Sequence, residues 1–181
     1  MTYLIDTYFS EDDIVEKHRI YSDYLNSIKD GLSKNVKDIF LSDWYYDDYF
    51  DNRTTHDSRI QHIIIEEIII DKENRIRRMD IEICLINKRR NGNIFFKYID
   101  VFSYSMIKEP RNHTVSGGHD DWLCDEIELS PNKNVTHQIL LHNYARISIE
   151  SKDIVFRFEP FQPSTPGDTD NYVAPPDGTA W

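Results

Sequence analysis

The chain has 181 residues, enough to bury one core without disulfides or a structural metal, and its 39% hydrophobic and 29% charged residues are ordinary for a globular protein. Thirty-two Asp and Glu against 21 Lys and Arg leave a net charge of -11. That sign repels phosphates and anionic headgroups, which argues against nucleic acid or a membrane surface as partner and favours a basic protein. The two cysteines, Cys84 and Cys124, sit in apolar segments and read as reduced core residues rather than a disulfide framework. The N-terminus lacks the basic and apolar regions of a signal peptide, and no apolar run is long enough for a membrane span. A cytoplasmic location is therefore expected, and the sequons at Asn52, Asn112 and Asn134 are chance matches.

In chain order, Ser10 and Asp13 have the form of a capping box. Ile14, His18, Tyr21, Leu25, Ile28 and Leu32 then recur at steps of three or four, and Gly31 is a natural stop, so a helix is predicted over 11–31. A short helical or irregular piece carrying Val36, Ile39 and Phe40 follows. From Arg59 the apolar period changes to two. Residues 60–70 hold seven Ile and are apolar on both faces, which predicts a central strand covered on each side. Residues 79–85 alternate, as on a sheet with one wet face. Asn91-Gly92 predicts a hairpin through a type I′ turn into a strand over 94–105. Residues 108–121 read as a loop, and three further strands are predicted at Leu123–Leu129, His137–Ile149 and Ile154–Phe161. The architecture predicted is α+β, an N-terminal helix packed on a mostly antiparallel six-stranded β-meander. Residues 1–161 form a single domain and 162–181 an acidic tail rich in Pro and Gly, extended over the surface or mobile.

Two clusters carry chemistry. The segment Asp43, Trp44, Tyr45, Tyr46, Asp47, Asp48, Tyr49, Phe50 and Asp51 interleaves aromatics with carboxylates, the composition of an interface anchor that steers a basic partner. The same aromatics could equally cap the sheet from inside. His56-Asp57 and His119-Asp120 place imidazoles beside carboxylates at loop-to-strand junctions, donors for a metal if the two loops meet and ordinary turn residues if they do not. His137 and His142 fall five residues apart on one predicted strand, so they point to opposite faces and cannot chelate together. No nucleophile elbow, phosphate loop, dinucleotide loop or paired CxxC is present, so enzymatic activity has no positive signal and no cofactor is implied.

Tyr-Leu-x-x-Ile-Lys at Tyr24–Lys29, His-Asp-x-x-Ile at His56–Ile60, Trp-Leu-x-x-Glu-Ile at Trp122–Ile127, His-x-Ile-Leu-Leu at His137–Leu141 and Ile-x-Ile-Glu-x-Lys-Asp-Ile at Ile147–Ile154 follow one another along residues 20–158. This order resembles a family of small, uncharacterised bacterial cytoplasmic proteins known as a domain of unknown function. Such proteins are similar in size and acidity to the immunity proteins that neutralise secreted toxins. The resemblance implies a non-enzymatic binding protein facing a basic toxin through Asp43, Trp44, Tyr45, Asp47, Asp48, Tyr49 and Asp51. It carries no catalytic residue. The alternatives are a metal-binding module or metal-dependent hydrolase built on His56, Asp57, His119 and Asp120, and a homo-oligomeric scaffold pairing through a strand edge.

Overall fold

The computed structural model describes residues 4–5, 14–46, 48, 50–108, 120–142 and 144–162. The apolar stripe of the first helix folds as α1 (Ile14–Ile28), continued by one 3-10 turn (Lys29–Gly31). The capping box at 10–13 lies outside the described residues. Tyr21, Leu25 and Leu32 are buried from that stripe, with Tyr24 and Ile28 half-buried, while His18 stays on the wet face. The piece that follows is α2 (Lys34–Phe40), which buries Val36, Ile39 and Phe40; Ser33 caps it by accepting from the amide of Val36 at 3.1 Å. Ser33 also donates to Asp153 at 2.5 Å, and Asn35 to the same carboxylate at 2.7 Å, which pins the start of α2 to the sheet. A single turn, α3 (Asp43–Tyr46), completes the helical layer. None of these helices is long and apolar enough to cross a membrane.

The described residues contain six strands, β1 (Arg59–Asp71), β2 (Ile76–Ile86), β3 (Gly92–Ile107), β4 (Trp122–Leu129), β5 (Val135–Leu141) and β6 (Arg146–Pro160). All pair antiparallel, in the order β1-β2-β3-β6-β5-β4. The α+β architecture follows the sequence pattern, and the meander resolves into two three-stranded meanders joined where β3 pairs with β6. One face carries Ile81, Ile83, Phe96, Ile139, Ile149 and Ile154 into a core closed by the helices.

Three features differ from the sequence reading. The Ile-rich β1 is at the edge of the sheet, not its centre, and its apolar residues are largely exposed. Ile content reports the fit of a branched side chain to a pleated surface, and cannot tell cover by this chain from an open edge. The hairpin expected at Asn91-Gly92 forms, but its turn lies earlier. Arg90 takes the positive φ of 54° and its amide bonds the Asn87 carbonyl at 2.8 Å, while buried Asn87 binds Asn91 and the carbonyl of Asn52. Gly92 instead opens β3 beside β6, where an added Cβ would stand 2.6 Å from the Phe158 ring and 2.7 Å from the Glu159 carbonyl oxygen. Finally, the predicted strand 137–149 is broken by a turn after Leu141, and the predicted turn 150–153 lies inside β6. That turn uses neither Gly nor Pro. Tyr144 supplies the positive φ of 63°, and Leu141 donates to Ala145 across it at 3.0 Å.

The two edges of the sheet are treated differently. At β4 the amides of Ile127 and Leu129 donate to the hydroxyls of Tyr21 and Tyr24 at 2.7 and 3.0 Å, so α1 covers that edge and satisfies its backbone. At the other side the sheet forks. β2 pairs with β3 only from Ile81 to Ile86, beyond which β1 and β2 run on as a two-stranded ribbon and β3 stays with β6. Buried Asp80 sits at the fork, accepting from the amide of Asp100 at 3.1 Å and facing Arg78 at 2.9 Å.

Gly92→Ala is expected to lose about 1–3 kcal/mol in urea unfolding, because backbone stands in the way of the new methyl. Gly31→Ala should lose less, since its methyl would meet the free end of Leu129, which can turn aside.

Candidate functional site

Thr54 to Ser58 form a tight turn before β1. Ser58 donates its amide to Thr55 at 2.9 Å, and Asp57 takes a φ of 63°, a conformation that Asp tolerates better than most residues. This turn is sewn to the start of β4 by two backbone bonds, Asp57 to Trp122 at 2.9 Å and Trp122 to Ser58 at 2.8 Å. The end of β5 joins through His142, whose amide donates to Asp121 at 2.9 Å. The turn before β1 therefore meets the chain at Asp121 and Trp122, and the turn after β5 joins them there.

Their side chains converge on Asp57. Its Oδ2 is 3.1 Å from His56 Nδ1 and its Oδ1 is 3.2 Å from His142 Nε2, with the imidazole rings 6.0 Å apart and nearly perpendicular. One donor atom from each of the three lies within 4.8 Å of the others, and all three side chains are partly open to solvent. Asp120 is not in this cluster: it adopts a φ of 75° and accepts from the amide of Asp121, the work of a turn residue. His119 lies outside the described residues. His142 is not among the expected ligands because the expected strand continues to residue 149; β5 instead ends at Leu141, and in the turn before Tyr144 the His142 imidazole comes to Asp57. Two imidazoles and one carboxylate are a familiar donor set for divalent transition metals, with positions left for water or ligand.

Behind this surface lies a buried polar cluster around Asp125, 3% exposed. Its carboxylate accepts from Trp122 Nε1 at 2.6 Å, from the Tyr45 hydroxyl at 3.1 Å and from Thr55 Oγ1 at 3.1 Å. His137 stands beside it, Nε2 3.4 Å from Asp125 Oδ1 and Nδ1 2.8 Å from the Tyr98 hydroxyl. Burial pushes the phenols of Tyr45 and Tyr98 well above their usual range, and the Asp125 carboxylate adds to both shifts, so both remain protonated. Burial, followed by Asp125 and Glu126, likewise raises the Cys124 thiol, which keeps it an unreactive thiol. A cavity of about 190 Å³ separates this cluster from α1 and is lined by Tyr45, Thr55, His56 and Asp125.

Of the acidic aromatic segment, Trp44, Tyr45 and Tyr46 turn inward. Tyr45 is 5% exposed and committed to Asp125, and Tyr46 packs edge-on to Tyr21 and meets its hydroxyl at 3.2 Å. Trp44 lies half-buried between Phe156 and the Arg53 guanidinium, which is 4.3 Å from its ring. Asp51 holds Arg53 at 2.6 Å, and that hydrogen bond draws its carboxyl below the usual range. Asp43, Asp48 and Phe50 remain exposed, Phe50 at 75%; Asp47 and Tyr49 lie outside the described residues. Tyr45 is thus withdrawn from any contact surface, because the buried carboxylate needs its donor.

Tyr45→Phe is expected to lower unfolding free energy by about 2 kcal/mol, the usual range for a hydrogen bond to a buried charge, read from the urea midpoint at unchanged slope. No protein-family model matches the sequence, and no curated protein matches it.

Proposed function

We propose that this protein binds a divalent transition-metal cation through His56, Asp57 and His142. The observation that carries the reading is the convergence of three donor atoms, from two loops, within 4.8 Å on a backbone fixed by hydrogen bonds to Asp121 and Trp122. Metal–ligand lengths of about 2.0–2.2 Å ask only for a small turn of the partly exposed imidazoles. The donor set is that of zinc rather than of calcium or magnesium, which prefer oxygen throughout.

The surroundings support an open rather than a closed site. Three side chains leave at least one coordination position unfilled. Asp57 also lines a groove of about 630 Å³ with Arg59, Lys88, Arg90 and Asp121, in which Arg59 is paired with Asp121 at 3.0 Å. A small anionic group entering that groove would meet Lys88 and Arg90 beside the free position on the metal. The reading keeps His56 and Asp57 from the sequence expectation and adds His142, while Asp120 serves its turn and His119 lies outside the described residues.

Zinc titration of protein purified without an affinity tag tests it. One equivalent should bind, raise the melting temperature, and bind more tightly as pH rises, because protons compete with the metal for the imidazoles. His142→Ala and Asp57→Asn should each weaken binding by about tenfold or more, whereas His62→Ala, on exposed β1, should not. Substoichiometric binding, or affinity indifferent to His142→Ala combined with Asp57→Asn, would overturn it.

A further inference from the structure

The outer edge of β1 is bare among the described residues. Apart from one bridge between Arg59 and Asp121, β1 pairs with β2 alone. Its exposed isoleucines lie on both faces, Ile64 and Ile70 on one and Ile65 and Ile69 on the other, at 41–59%. Natural edge strands are blunted by Lys, Pro, bulges or a covering element, and β4 shows this chain using the last of these. Between its irregularities near Gln61 and Ile70, β1 has no Lys, Pro, bulge or covering element among the described residues, and its charge there is that of Glu66 and of Glu67, which pairs with Arg77.

The order of residues on this edge says what fits it. Gln61-His62-Ile63-Ile64-Ile65-Glu66-Glu67 has the same sequence of polar and apolar positions in both directions. A two-fold axis at Ile64 sets Ile64 opposite itself, Ile63 opposite Ile65, His62 opposite Glu66 and Gln61 opposite Glu67. Every apolar side chain then meets an apolar one, and each carboxylate meets an imidazole or an amide. Moving the axis by one residue, to Ile63 or Ile65, sets isoleucine against glutamate. Self-complementarity of this kind is what an isologous interface demands and what a foreign strand does not.

We infer that β1 docks on β1 of a second copy, antiparallel about Ile64, forming a two-fold dimer with a sheet continuous across both chains. The pairing covers the edge that the described residues leave open. Because each copy carries a net charge of -11, their long-range repulsion opposes the contact, and added salt strengthens it. A basic protein partner on the same edge would show the opposite dependence on salt.

Sedimentation equilibrium of the full chain, with circular dichroism confirming each variant's fold, tests the inference. The expected mass is twice the 21.6 kDa chain, with a dissociation constant that falls as salt is raised. Ile64→Lys, which opposes two ammonium groups on the axis, should give folded monomer. His62→Glu should weaken the dimer roughly tenfold through like charges facing across the axis, and His62→Glu with Glu66→His should restore it. Ile64→Cys should cross-link to itself under mild oxidation far faster than Ile69→Cys. A monomer at all concentrations, a dimer untouched by Ile64→Lys, or failure of the charge exchange to restore affinity would overturn it.

Discussion

The carboxylate of Asp125 is the constraint on which the rest of this structure turns. A buried charge is tolerated only where donors surround it, and here the donors come from separate parts of the chain: Tyr45 from the helical layer, Thr55 from the turn before β1, and Trp122 from β4 itself. Satisfying one side chain therefore fixes three segments relative to one another. The Thr54–Ser58 turn, held from beneath by Thr55 and from the side by Trp122, presents His56 and Asp57 in one orientation. The surface cluster is ordered by the buried one.

Order at the surface without burial is what a metal site requires. Ligands must be preplaced, yet open enough to exchange protons and water for the ion. His56 and Asp57 gain their placement from the turn that Asp57 and Ser58 bond to Trp122, and His142 from its own amide bond to Asp121. The aromatic residues beside His137 belong to the core instead: Phe40, Phe96 and Trp122 pack around it in ring contacts of 5.1–5.9 Å.

Periodicity made the helices, the six strands and the antiparallel sheet legible, because a repeat of two or 3.6 is a property of neighbouring residues. What it could not supply were relations between distant ones. The Ile run of β1 looks the same in a central strand and on an open edge, since the difference lies in whether another strand arrives. His142 looked like a strand residue because the turn beside it rests on Tyr144, a side chain that seldom takes a positive φ. The aromatics at 44–46 read equally as surface or core until Asp125, eighty residues on from Tyr45, claimed a hydroxyl. His56-Asp57 was visible as a candidate because both residue types adjoin in sequence; its third member was not.

The fork at Asp80 bears on colloidal behaviour. Past it the β1–β2 ribbon stands clear of β3, with Ile69, Ile70 and Ile76 all substantially exposed. Segments of this composition are the kind that stack into fibrils when nothing keeps chains apart. The abundance of Asp and Glu that first argued against nucleic acid then acquires a second meaning, as an electrostatic barrier to indiscriminate stacking. Near the isoelectric point of about 5.0 that barrier vanishes while the ribbon persists. Acidity is in this sense part of the structural logic of the sheet, since it opposes unspecific contact along a strand that the described residues leave uncovered.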